Sequence, residues 1–341
     1  MDIFFPYVSI SKEALKDFGQ SLQSLSGSLS NLKLTLSCDS DLNTEKIGYV
    51  TAGIKTLKIL SSLNLDLKAN NISNEGMCLL AECIGALENL QKLTLDLSRS
   101  RRPLPQRNFL FFLKKKDHMK TGLGYFGPAL QRHQKLRYLE LILDDLQPSP
   151  EEFETLAFGI EGLKTLRSFK LSSNDQRMKG EMHLSFRSLY TSLKTLPVLN
   201  CLVLDFHVLN SEDLESLLLH VGGLTNLVKL QLKFTQLESL SFQAADYFAE
   251  VIKKLGLLRI LSFSIGWRGD NVKEEIVDKF HEGLKNIEYL EGFMWGFIHP
   301  KDQEEARRST EVMKYMKVFS SFVRYRCLCE FALLPFMNPL Q

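Results

Sequence analysis

One phrase recurs through most of this chain and constrains its fold more than any other feature: L-x-x-L-x-L-x-L. It stands at Leu29, Leu32, Leu34, Leu36; at Leu60, Leu63, Leu65, Leu67; at Leu90, Leu93, Leu95, Leu97; and at Leu136, Leu139, Leu141, Leu143. A degenerate copy follows at Leu166, Phe169, Leu171, Ser173. Four more stand at Leu199, Leu202, Leu204, Phe206; Leu227, Leu230, Leu232, Phe234; Leu258, Leu261, Phe263, Ile265; and Ile287, Leu290, Gly292, Met294. From one second position to the next the steps are 31, 30, 46, 30, 33, 28, 31 and 29 residues. A period near 30 residues marks a stack of like units. The phrase also accounts for the 62 leucines in 341 residues, about twice an ordinary share.

The alternating half of the phrase has period 2, so its leucines share one side of a short strand. Between phrases the period changes. Leu79, Leu80, Cys83, Ile84 and Leu87 recur at helical spacing and mark one apolar helix face. Residues 212–227 and 242–257 read the same way. A lone strand–helix unit cannot bury both faces, whereas stacked units share a continuous core. Right-handed crossovers then place parallel strands on the inside and helices on the outside. Nine strands at about 4.8 Å each make a sheet roughly 40 Å along.

The phrase and period resemble the leucine-rich repeat superfamily, in particular its ribonuclease-inhibitor-like, helix-containing subclass. The stretch from Leu63 to Gly76 (Leu63, Leu65, Leu67, Asn70, Ile72, Gly76) is similar to that subclass's L-x-L-x-L-x-x-N-x-I-x-x-x-G form. The resemblance covers about residues 10–298. It implies an α/β solenoid, a horseshoe with an inner parallel sheet and outer helices, and it implies protein binding. The chain also departs from the pattern. The asparagine that ladders between turns stands clearly at Asn70, with Asn174 at a shifted register. With the uneven steps, this predicts an irregular solenoid.

Residues 1–28 read as an N-terminal cap with a helix near 12–25, and 29–298 as the solenoid. Residues 299–341 read as a C-terminal cap. There Asp302 and Glu305 form a capping-box start, and alternation over 323–331 predicts an edge strand. The 46-residue step contains about 16 extra residues within 99–120. That segment carries eight Lys or Arg against one Asp, a charge of +7. The whole chain is only +2, so the remainder is −5. Arg99, Arg101, Arg102, Arg107, Lys114, Lys115 and Lys116 are therefore candidate partner-binding residues for an acidic protein tail or another anionic surface. The run Phe109 to Leu113 predicts that part of the segment is buried.

Catalytic and metal signatures are missing from the sequence. The six cysteines form no CxxC pair, which reads as free thiols of a reducing compartment. The seven histidines fall at no metal-ligand spacing. Gly122, Gly124 and Gly127 match G-x-G-x-x-G, but a lysine run precedes them where a dinucleotide site needs a strand. They read instead as the loop closing the insertion. No cofactor is expected. The N-terminus has no basic region and no long apolar run, and no uncharged stretch reaches a membrane-spanning length. The expectation is an intracellular, cytoplasmic protein. The sequon at Asn71 is silent in that setting.

The residues between strand leucines should line the inner face. They include Lys33, Asn64, Asp66, Thr94, Asp96, Glu140, Lys170, Asp205 and Lys233. Mixed charge suits a protein partner and disfavours nucleic acid, which needs a basic stripe. Toward the C-terminus Trp267, Tyr289, Phe293 and Trp295 are candidate interface anchors, or they pack beneath the cap. The reading is a non-catalytic scaffold or adaptor, a structural subunit of an intracellular assembly, with a cytoskeletal or ciliary setting as a refinement. The alternatives are an enzyme regulator, inhibitor-like or GTPase-activating-like, and a peripheral anionic-surface binder using 99–120.

Overall fold

In the computed structural model the described residues are 1–5, 9–36, 42–70, 72–99, 121–174, 182–237, 240–267, 274–285 and 292–297. They form ten parallel strands in one sheet, ordered as in the chain. The strands are β1 (Asp2–Phe4), β2 (Asn31–Thr35), β3 (Ser62–Asp66), β4 (Lys92–Asp96), β5 (Tyr138–Ile142), β6 (Ser168–Ser173), β7 (Cys201–Leu209), β8 (Lys229–Leu237), β9 (Ile260–Trp267) and β10 (Gly292–Phe297). Between them run α1 (Lys12–Ser24), α2 (Thr44–Ile54), α3 (Asn74–Gly85), α4 (Phe126–Gln131), α5 (Pro150–Glu161), α6 (Met182–Lys194), α7 (Ser211–Val221), α8 (Phe242–Lys254) and α9 (Glu274–Lys285).

The first eight leucine phrases fall on β2 to β9, and the last meets β10 only at Gly292 and Met294. β1 is an additional strand that no phrase marks; it pairs with β2 through Ile3 and Leu34. The phrase positions line up across the sheet. Leu34, Leu65, Leu95, Leu141, Leu171, Leu204, Leu232 and Phe263 pair in one unbroken row, and all are buried. The long step does not disturb this row: Leu95 of β4 pairs with Leu141 of β5 in the common register.

Local signals start the helices. Ser11, Asn43, Ser73, Ser149, Asn210 and Ser241 each cap a helix by accepting from a backbone amide three residues on, which satisfies an orphan donor of the first turn. Ser149 and Glu152 complete a reciprocal capping box. Neighbouring helices approach closely where side chains vanish. Gly19 of α1 lies against the Tyr49 carbonyl of α2, and Gly127 of α4 against the Thr155 carbonyl of α5.

Side chains staple successive turns together. Asn70 donates to the Leu36 and Leu67 carbonyls at 2.6 and 2.9 Å, as the ladder position requires. Asn174 acts differently: its backbone amide donates to Asp144 at 2.8 Å and its side chain to Ser172 at 3.0 Å. Other staples on the opposite rim carry no laddering signature. Asn89 donates to the Lys58 carbonyl and Asn226 to the Pro197 carbonyl, both at 2.8 Å, while Thr165 donates to the Gln134 carbonyl at 2.9 Å.

Candidate protein-binding face

The helices cover one side of the sheet, and the polar rows of the strands line the other. Along β2–β6 the polar residues are half-buried or exposed except Thr35 and Ser173, while the leucines between them are closed off. This is the period-2 division the sequence predicts.

Four side chains on β4, β5 and β6 gather near the middle of that face. The Tyr138 hydroxyl donates to the Glu140 carboxylate at 2.5 Å. Lys92 Nζ stands 4.7 Å from the centre of the Tyr138 ring and Lys170 Nζ 5.2 Å from it, both within cation–π range. Lys170 also lies 3.8 Å from Glu140. Burial pushes the Tyr138 phenol up, and its bond to Glu140 adds to that shift. The contact with Tyr138 raises the Lys170 ammonium, with Glu140 contributing. The result is a neutral aromatic platform between two cations, with one carboxylate in reach.

Toward the strand C-termini the face turns acidic. The Asp96 carboxylate accepts from the Ser98 amide at 2.9 Å and the Ser98 hydroxyl at 2.5 Å. Burial nonetheless raises its pKa, and Asp66 on the next strand adds to the rise. Further along, Lys233 and Asp205 pair at 2.8 Å.

Lys92 and Tyr138 were not among the inner-face residues read from the sequence. Both precede the second leucine of their phrase, where period 2 continues the polar row of the strand. Of the basic candidates, Arg99 is described: its amide donates to the Asp144 carbonyl at 2.9 Å, which anchors the start of the insertion beside β5. Arg101, Arg102, Arg107, Lys114, Lys115 and Lys116 lie outside the described residues, as do Tyr289 and the expected C-terminal cap.

The aromatic candidates on the last strands occupy a different register from the leucine phrase. Phe293 pairs with Leu261 and Trp295 with Phe263, and Trp267 pairs with Leu237. The phrase aligns Leu290 with Leu261, so the observed register is three residues later. A leucine template misplaces a strand in which phenylalanine and tryptophan stand in the leucine row.

The glycine motif has a structural explanation. Gly122 adopts φ +79°, which a side chain resists. Its amide donates to the Glu152 carboxylate at 2.6 Å, so the donor a phosphate would require is already taken by an anion. Among the described residues no group of His, Cys, Asp or Glu is arranged to hold a metal, and no helix is long and apolar enough to cross a membrane. Cys78, Cys83 and Cys201 are free thiols, and burial pushes Cys83 up to about 12.

No protein-family profile and no curated protein matches the chain. Among solved structures it is similar to the one titled "Crystal structure of TLR13-ssRNA13 complex", at 16% identity and a TM-score of 0.34, over 78% of this chain and 37% of that one. The chain thus spans well under half the length of that protein. The fold follows from the phrase, its unbroken register and the alternating outer helices: the chain is an α/β leucine-rich repeat solenoid.

Proposed function

We propose that this protein is a non-catalytic scaffold of the ribonuclease-inhibitor-like subclass, binding a protein partner across its polar sheet face. The observation that carries this reading is the cluster of Lys92, Tyr138, Glu140 and Lys170. It presents an aromatic ring and both signs of charge on a rigid sheet, and tyrosine on a rigid surface is a frequent interface anchor. The mixed charge suits a patterned protein surface and supplies orientation as well as attraction. In this reading the protein is a subunit of an intracellular assembly, cytoskeletal or ciliary in the finer form. The basic segment from Arg99 to Lys120 and Tyr289 serve as secondary contacts.

Crosslinking mass spectrometry in native extract tests this directly. Crosslinks from Lys92 and Lys170 to one recurrent protein are expected, and Tyr138→Glu should reduce their yield at least tenfold. A monomer that crosslinks to nothing through these lysines, or a yield indifferent to Tyr138→Glu, would sink the reading.

A further inference from the structure

The turns that return the chain from each helix to the next strand form one rim of the solenoid. Among the described residues from 55 onward they cover 55–61, 86–91, 132–137, 162–167, 195–200, 222–228 and 255–259. They contain eight lysines and arginines and one carboxylate, Glu88. Five of the eight crowd onto the two adjacent turns before β5 and β6: Arg132, Lys135, Arg137, Lys164 and Arg167. All five are exposed, and none is in an ion pair among the described residues.

The two arginines nearest the sheet are direct neighbours, because the Arg167 amide donates to the Arg137 carbonyl at 2.9 Å. Lys135 and Lys164 are held in place by neutral acceptors, Asn89 Oδ1 at 2.7 Å and the Thr195 carbonyl at 3.2 Å. Their charges stay uncompensated. Complementing a helix dipole explains Arg132, which follows α4 directly. It does not explain Arg137 and Arg167, each six residues past its helix, since the effect fades beyond the last turn. Like charges side by side on adjacent strands cost stability, and an anion bound across them would relieve that cost.

The next three turns along the same rim change character. Val198, Val228 and Leu257 are 42%, 38% and 50% exposed there, and these turns contain no carboxylate and a single base, Arg259. The rim therefore reads as a basic block followed in line by an aliphatic block. A nucleic-acid strand would have no exposed ring to stack on in these turns. A membrane has no direction in its plane and favours basic and apolar groups intermixed at one depth. A polypeptide can match two blocks in order.

We propose that this rim binds an extended acidic–aliphatic peptide segment, its carboxylates on the Arg137 and Arg167 turns and its apolar half on Val198, Val228 and Leu257. Five turns at about 4.8 Å spacing span roughly 19 Å, the length of about six extended residues. This site adjoins the Tyr138 face without using its side chains, and crosslinking from Lys92 and Lys170 reads the face while peptide binding reads the rim, so either can fail alone.

The test is fluorescence anisotropy with the full chain and a labelled peptide of four glutamates followed by four leucines. A peptide of the same composition with the two residues interleaved is the control. Block-peptide binding should be tighter than the control and weaken at least tenfold with Arg137→Glu/Arg167→Glu. It should weaken severalfold with Leu257→Asp. Arg137→Ala/Arg167→Ala should act in the same direction, guarding against misfolding of the charge reversal. Equal binding of both peptides, no binding at millimolar peptide, or indifference to the arginine variants overturns the proposal. So does tighter binding of single-stranded RNA or phosphatidylserine vesicles that the same variants abolish.

Discussion

His133 shows what one residue contributes to the response of this solenoid to pH. It sits in the turn after α4 and is 1% exposed. Burial lowers its pKa, with the Ile84 backbone offsetting part of the effect and Arg132 adding to it. A histidine held neutral by the fold favours the native state while both states are neutral. Below the ordinary imidazole value of about 6.5 the unfolded chain takes up the proton first, so stability falls as pH drops. Urea midpoints measured from pH 7.5 to 5 should therefore decline, and His133→Leu should flatten that decline. An unchanged slope in the variant would assign the acid sensitivity elsewhere. The sequence shows His133 as one of seven scattered histidines; only its enclosure by neighbouring turns distinguishes it.

At the scale of the element, strands and helices were largely legible. Period 2 within each phrase and helical spacing between them predict the β3–α3, β7–α7 and β8–α8 alternation, because each period follows from one backbone geometry. The last strand was legible as a strand but not in register, since register depends on which side chains fill the shared row. Helix spacing was not legible either. Gly127 looks like part of a nucleotide motif in sequence, and in the structure it lets α4 touch the α5 backbone at Thr155. Gly127→Ala would drive a methyl group into that carbonyl, and the two helices would have to separate. A destabilisation of about 1–3 kcal/mol is expected by urea unfolding, whereas Gly124→Ala, which meets only ordinary contacts with Glu152, should be several times milder. Equal effects would mean the helix contact is not tight.

For the whole molecule, the sequential strand order means that each repeat touches chiefly its neighbours. Stability should then be a chain of local couplings. Leu95→Ala, in the middle of the buried row, should cost about 2–5 kcal/mol. By hydrogen exchange the lost protection should centre on β3, β4 and β5 and fade toward β8. A uniform loss across the sheet would show a single cooperative unit instead. The polar face was legible in part for the same reason the fold was. Lys170 and Glu140 follow from the strand period, but their meeting with Lys92 and Tyr138 joins residues 78 positions apart at its widest.

The 30-residue period of strand-spaced leucines makes this chain stack strand–helix units, because a lone unit leaves its apolar face in water. It also determines where most strands lie and that their leucine row forms the core. What the polar residues do together depends on how distant repeats stack. The Tyr138 cluster draws one or two residues from each of three repeats and the basic-then-aliphatic rim one to three from each of five, and no single repeat carries their pattern. Stacking brings strands to about 4.8 Å and turns a scatter along the chain into a row in space.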